Sequence, residues 1–274
     1  MFRGILICLM FLGVALGADA KTKRALIIGV GDYEQLPDLQ KTIGDATGYS
    51  EAFEGQLGFE VTRLIDPGTI EFLEALDGFL QSIEPGDEVA FIFSGHGWSD
   101  GADNFLALRD APLESSEFAL RRQTVSLSND VLAEIKARRP GLLFAIIDAC
   151  RDNPFDTGTR SVTRGLSRLE IVPGTLVVYA AGARQKALDR LGPEDDSPYS
   201  VFTRSLLPRL GDPETPLLRS VDETRSEVAV LASSINHEQR PAIYSDVSLD
   251  YCFAGECRTD VALDQETVDW VEIS

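Results

Sequence analysis

In the stretch "LLFAIIDACRDNPF" (142–155) six apolar residues run up to an acid, Asp148, and a thiol, Cys150, follows two positions later. The stretch "FIFSGHG" (91–97) does the same upstream, ending an apolar run in His96 between two glycines. A thiol and an imidazole are the pair that nucleophilic sulfur chemistry requires, because the imidazole accepts the proton and pairing with it makes the thiolate accessible near neutral pH. Each residue closes a run with the length and continuous apolarity of a strand covered on both faces. Neighbouring parallel strands lie about 4.8 Å apart, so a His and a Cys leaving adjacent strands at one edge can face each other. Taken singly they say less: Cys150 alone also fits a buried core cysteine, and "SGHG" alone fits a surface turn. Gly95 and Gly97 leave no side chain over such a site and permit backbone angles closed to other residues. The amides of Gly97 and Cys150 are candidate donors to an oxyanion, an effect worth about 3 kcal/mol per donor.

The remaining elements are those needed to hold two such strand ends together. "RALIIGV" (24–30) reads as a first strand, a helical stretch runs from about Leu39 to Leu57, and "FEVTRLI" (59–65) is a second strand. Ile70, Leu73, Leu76, Leu80 and Ile83 recur at steps of three and four, the signature of an amphipathic helix that ends at Pro85 and Gly86. "DEVAFIF" is the third strand, and a hairpin with a long loop follows. Ser128 is placed as the cap of a helix ending near Gly141. "LLFAIID" and "GTLVVYAAG" are the fourth and fifth strands, two helices follow from 200 to 235, and "RPAIYS" is the sixth strand. Strands alternating with helices imply an α/β fold: a mainly parallel six-stranded sheet flanked by helices on both faces, with a small C-terminal β-hairpin. Ligands of such sheets bind beyond the carboxyl ends of the strands, where His96 and Cys150 stand.

Residues 1–20, "MFRGILICLMFLGVALGADA", have a basic start, an apolar centre and small residues at Ala18 and Ala20. This is the layout of a signal peptide cleaved after Ala20; the alternative, an uncleaved anchor, needs an apolar core of roughly 20 residues. Residues 21–274 then form one domain, expected to be exported to a periplasmic or secreted location without stable membrane insertion. The net charge of −19 repels phosphate backbones and anionic lipid, which argues against a nucleic-acid partner and favours a cationic peptide. After the leader, three cysteines remain, an odd number for a compartment that favours disulfides. "YCFAGEC" sets Cys252 and Cys257 across a short Gly-containing turn that a disulfide can close, leaving Cys150 as the free thiol.

These features together resemble the caspase and metacaspase family of cysteine peptidases, in its bacterial metacaspase-like form. The residues that carry the resemblance are "RALIIGVGDYEQLPDLQKTIGDA", "GFEVTRLID", "FIFSGHG", "LLFAIIDACRDNPF", "GTLVVYAAG" and "SPYSVFTRSLL", nearly the whole mature chain. "DACRD" differs from the animal caspase signature by Asp148 in place of Gln and Asp152 in place of Gly. The resemblance implies a Cys150–His96 dyad in an endopeptidase. It also implies a pocket for the residue before the scissile bond, lined by Asp45 in the loop after the first strand, Ser94 and Asp148. Two carboxylates there suit Arg or Lys and reject Asp. Asp45 is also explained as a helix-start acid favoured by the dipole, and Asp148 as a strand-end turn residue. Calcium is a possible cofactor by the resemblance alone, since no EF-hand-type set of acids is visible and the metal site is unknown. Arg160, Arg164 and Arg168 in the loop after Cys150 are candidates for self-cleavage, or simply solvate that loop. Trp98 departs from the family pattern and is expected to line or narrow the substrate cleft; on that account a silent caspase-like interaction module is the alternative to a peptidase. His237 is read as structural or loop-borne. A thiol oxidoreductase is a poor fit, because Cys150 lacks a Cys-x-x-Cys partner.

Overall fold

The computed structural model describes residues 21–100, 103–113, 116–149, 173–182, 185–212, 214–253 and 255–257. In chain order the elements are β1 (Lys23–Gly29), α1 (Thr42–Gly55), β2 (Glu60–Ile65), α2 (Thr69–Ser82), β3 (Glu88–Gly95), β4 (Gly97–Ser99), β5 (Asn104–Leu106), α3 (Glu117–Gln123) and β6 (Val125–Ser126). A π-turn over Leu127–Leu132 then leads into α4 (Ala133–Ala137), followed by β7 (Leu142–Ala149), β8 (Thr175–Tyr179), α5 (Val201–Leu210), α6 (Leu217–Ser233), β9 (Ala242–Ser245) and the hairpin β10 (Tyr251–Cys252) and β11 (Gly255–Glu256). The main sheet has six strands in the order β2-β1-β3-β7-β8-β9. All its ladders are parallel except the last, β8 with β9.

Side-chain alternation decides which helix covers which face. Leu26, Ile28, Val89, Phe91, Phe93, Leu143, Ala145 and Ile147 point to the face packed by α2 and α4. Their neighbours Ala25, Ile27, Ala90, Ile92, Leu142, Phe144 and Ile146 point to the face packed by α1, α5 and α6. Both faces are dry, which is why the strands read as unbroken apolar runs. Each fully buried large side chain contributes about 1.5–3 kcal/mol relative to exposure.

The strand order places the chemistry. From β1 the chain crosses outward through α1 to β2, then returns past β1 through α2 to β3 on the other side. The two crossovers therefore lie on opposite faces, and the sheet reverses direction between β1 and β3. Such a reversal opens a crevice at the carboxyl ends of the strands. His96 follows immediately after β3 at this point.

Four local expectations change. The helix before β7 is capped by Ser126, whose Oγ accepts the Asn129 N–H at 3.0 Å, and not by Ser128. Asp103 recruits this segment, its carboxylate accepting the Ser126 hydroxyl and the Ser128 amide. The left-handed residue after α4 is Arg139 (φ 59°) rather than Gly141. The hairpin β4–β5 gains a third strand, β6, and the connecting stretch contains α3. Trp98 belongs to this small sheet: it is 2% exposed, stacks on Phe105 with ring centroids 4.4 Å apart, and its indole N–H donates to Thr124 at 3.1 Å. It is the core of the hairpin subdomain and lines no cleft, because the β4–β5 pairing sets it directly opposite Phe105.

Candidate active site

His96 is held at backbone and at ring by one loop, residues 30–41, which leaves β1. Its imidazole Nε2 lies 2.8 Å from the Pro37 carbonyl oxygen. A carbonyl only accepts, so Nε2 carries the hydrogen and Nδ1 carries the lone pair available as a base. The backbone N–H of His96 donates to the Tyr33 hydroxyl at 2.7 Å, and the Tyr33 ring packs at 4.7 Å from the imidazole. Partial burial pushes the imidazole below its ordinary value of 6.5, opposed by the bond to Pro37 and by the charge of Asp189. A neutral base at pH 7 results.

Of the neighbouring glycines, Gly95 serves by size. Neither Gly95 nor Gly97 has a positive φ, contrary to the expectation of special backbone angles. A Cβ on Gly95 would stand 2.8 Å from both the Tyr33 hydroxyl and the Phe93 ring. Gly97 opens β4, paired with Leu106.

The β3–β7 ladder ends with Ser94 beside Asp148 and Gly95 beside Ala149. The next residues in the chain are His96 on one strand and Cys150 on the other. Cys150, with its thiol and amide, lies outside the described residues, as do Arg160, Arg164 and Arg168.

Asp45, Ser94 and Asp148 do come together. Ser94 and Asp148 have the parity that faces α1 and α5, and Asp45 stands in the first turn of α1, inside the helix instead of the preceding loop. The Ser94 hydroxyl donates to Asp45 Oδ2 at 2.8 Å. Ser200, the N-cap of α5, joins the two acids: its backbone N–H donates to Asp45 Oδ1 at 2.8 Å and its hydroxyl to Asp148 Oδ2 at 2.6 Å. Thr203 adds its hydroxyl to Asp148 at 3.4 Å, while its backbone N–H is capped by Ser200 Oγ. The carboxylates are 0% and 6% exposed, and among the described residues no Lys or Arg pairs with either. Burial, then the Asp148 charge, holds Asp45 well above the ordinary carboxylate range. Burial pushes Asp148 up to about 6 against the opposing hydroxyls of Ser200 and Thr203, with the charge of Asp189 adding to the rise. Like charges in one buried site oppose the ionisation of both carboxyls at once.

Sequence reasoning missed Asp189, Ser200 and Thr203. Asp189, on the loop between β8 and α5, accepts the Lys41 N–H at 3.0 Å and is felt at both His96 and Asp148. Its only signal was a place after the carboxyl end of a sheet strand. Ser200 and Thr203 carried a clearer one, the spacing of a helix N-cap in "SVFT". His237 lies elsewhere, its Nε2 bound to the Lys186 carbonyl at 2.9 Å. A disulfide joins Cys252 and Cys257, with Cα atoms 5.4 Å apart. Among the described residues no group of three His, Cys, Asp or Glu side chains is placed to hold a metal ion, and no helix is long and apolar enough to cross a membrane.

A mostly parallel six-stranded sheet between two helical layers, with a His at its reversal point, defines a caspase-like α/β sandwich. The family described as the caspase domain matches residues 22–251, and the chain belongs to it. It is thus a caspase-like domain of a cysteine peptidase family, for which proteins are the implied substrates. The chain is similar, at 28% identity over 138 residues, to the human mucosa-associated lymphoid tissue lymphoma translocation protein 1 and, at 28% over 138 residues, to its mouse homolog. Each alignment covers 50% of this chain, which spans about 16% of the length of these curated relatives.

Proposed function

We propose that the protein is an exported, metacaspase-like cysteine endopeptidase that cleaves after Arg or Lys. The observation that carries the specificity is the buried Asp45–Asp148 pair, bridged by Ser200, with no cation beside it among the described residues. A guanidinium entering here trades the shared proton for a fixed charge and gains charge-assisted bonds. Aspartate in the same place would add a third negative charge. Asp189, felt at both Asp148 and His96, extends the negative field toward the scissile bond.

In the reaction, His96 Nδ1 takes the Cys150 thiol proton and the thiolate attacks the carbonyl carbon, while the amides of Gly97 and Cys150 hold the oxyanion. The imidazolium returns the proton to the leaving amine, and water then hydrolyses the thioester with His96 again as base. The Pro37 carbonyl supports the imidazolium through Nε2–H. Calcium has no step in this scheme. Arg160, Arg164 and Arg168 fit the same specificity and are proposed as self-cleavage points, removable by Cys150→Ala. Trp98 is buried in the hairpin, so it gives the alternative, a silent interaction module, no support.

Turnover of short fluorogenic peptides ending in Arg, Lys or Asp, with and without calcium, tests the reading. Release from Arg and Lys peptides by wild type, absent in Cys150→Ala, is expected. No release from any peptide, together with a Cys150 that ignores alkylating reagents, would replace it with the interaction module.

A further inference from the structure

Tyr33 touches His96 at both ends of its function, the backbone that places it and the ring that reacts. The phenol oxygen accepts the His96 N–H at 2.7 Å and donates to the Ala107 carbonyl at 3.2 Å. It thereby ties the end of β3 to the residue after β5, beside the Ala107 N–H bond to the His96 carbonyl at 3.0 Å. The Tyr33 and His96 ring centroids lie 4.7 Å apart with the ring planes tilted by 48°. Tyr33 is itself fixed, 6% exposed, with its backbone N–H on Asp38 Oδ1 at 3.1 Å. The same loop delivers the Pro37 carbonyl to Nε2. Asp66 anchors the loop's start, Oδ1 accepting the N–H groups of Gly31 and Asp32 at 2.7 and 2.9 Å. The loop also bonds sideways, Glu34 N–H to the Arg109 carbonyl at 3.0 Å.

We infer that Tyr33 is a positioning residue for the His96 base. Its hydroxyl sets where the imidazole leaves the sheet, and its ring face supports the imidazole once it is protonated. The inference rests on the proposed peptidase reading for its kinetic consequence. A cation over an aromatic face is favoured over a neutral ring, and a misplacement of about 1 Å at a reacting group is costly in rate. Of the charges around the imidazole, Asp189 reaches it from the β8–α5 loop, on a different element from Tyr33.

Tyr33→Phe removes the hydroxyl and keeps the ring; Tyr33→Leu removes both. On an Arg peptide, Tyr33→Phe is expected to lower kcat on the order of tenfold with KM nearly unchanged. Tyr33→Leu should lower kcat further and also lower the pH at which His96 titrates, read by NMR of its ring C–H. The chain has two histidines, so a His237→Gln background assigns the signal. Gly95→Ala, whose Cβ would crowd both the Tyr33 hydroxyl and the Phe93 ring, should lower kcat at least as far as Tyr33→Phe. Thermal melts identify the folded fraction. Variants that melt earlier but keep wild-type kcat per folded molecule and an unmoved His96 titration would overturn the inference. If wild type shows no Cys150-dependent turnover, the peptidase reading falls, and the His96 titration in the same variants still decides the role of Tyr33.

Discussion

Asp148→Asn should make the protein more stable and less active, and the stability gain should appear only above acid pH. Asp148 is buried beside a second carboxylate, and its pKa rises from 3.8 to about 6. A carboxyl with a raised folded-state pKa binds its proton more tightly folded than unfolded. Its stabilising contribution is full below pH 3.8 and is lost as pH rises through about 6. At 1.36 kcal/mol for each pH unit, the ionised side chain costs the fold about 3 kcal/mol at pH 8. Asparagine keeps an oxygen for the Ser200 hydroxyl and carries no charge, which also relieves Asp45. Chemical or thermal denaturation at pH 4 and pH 8 measures the difference. The variant should match wild type at pH 4 and melt higher at pH 8 by roughly 6–12 °C, given 2–4 °C per kcal/mol for a domain of this size. Loss of one charge-assisted bond to the substrate cation should meanwhile lower kcat/KM on an Arg peptide by on the order of a hundredfold. A variant less stable than wild type at pH 8, or a gain independent of pH, would show that the pair is not under electrostatic stress and would remove the argument for an arginine pocket.

The pH profile of wild type on an Arg peptide should carry an acid limb near pH 6, as the Asp45–Asp148 pair gives up its proton to admit the cation; His96, whose titration burial pushes down from 6.5, adds its own limb on the acid side of that ordinary value. Persistence of that limb unchanged in Asp148→Asn would assign it to another group. Asp189→Asn removes a negative charge felt at His96, so the His96 NMR titration should move to lower pH, and kcat/KM on Arg peptides should fall about tenfold; an unmoved titration would place Asp189 outside the site. Reducing the Cys252–Cys257 bond, or replacing Cys257 by Ser, should cost about 2 kcal/mol in denaturant titration and leave kcat alone, since the hairpin packs Phe253 against Phe53, Phe59 and Phe144, at the far end of the strands from His96. A fall in kcat per folded molecule would show that the hairpin reaches the site.

The chain's own pattern determined the layering. Apolar runs at β1, β3, β7 and β8 announced a sheet buried on both faces, because a strand covered twice has no reason to alternate, and the three-and-four spacing of α2 announced its apolar stripe. His96 and Cys150 were visible as strand-end residues for the same reason. Residues whose roles depend on elements distant in sequence stayed hidden. Ser200 lies 155 residues from Asp45 and 52 from Asp148, yet its amide and hydroxyl bind one acid each. Nothing local could report that Asp189 is felt at His96, or that Trp98 turns into a hairpin core instead of the cleft. Periodicity records which face of an element is dry, since burial acts residue by residue along the chain. Which polar groups share a buried site is decided by strand order and helix docking, and here those set α1, α5 and the exits of β3 and β7 around two carboxylates.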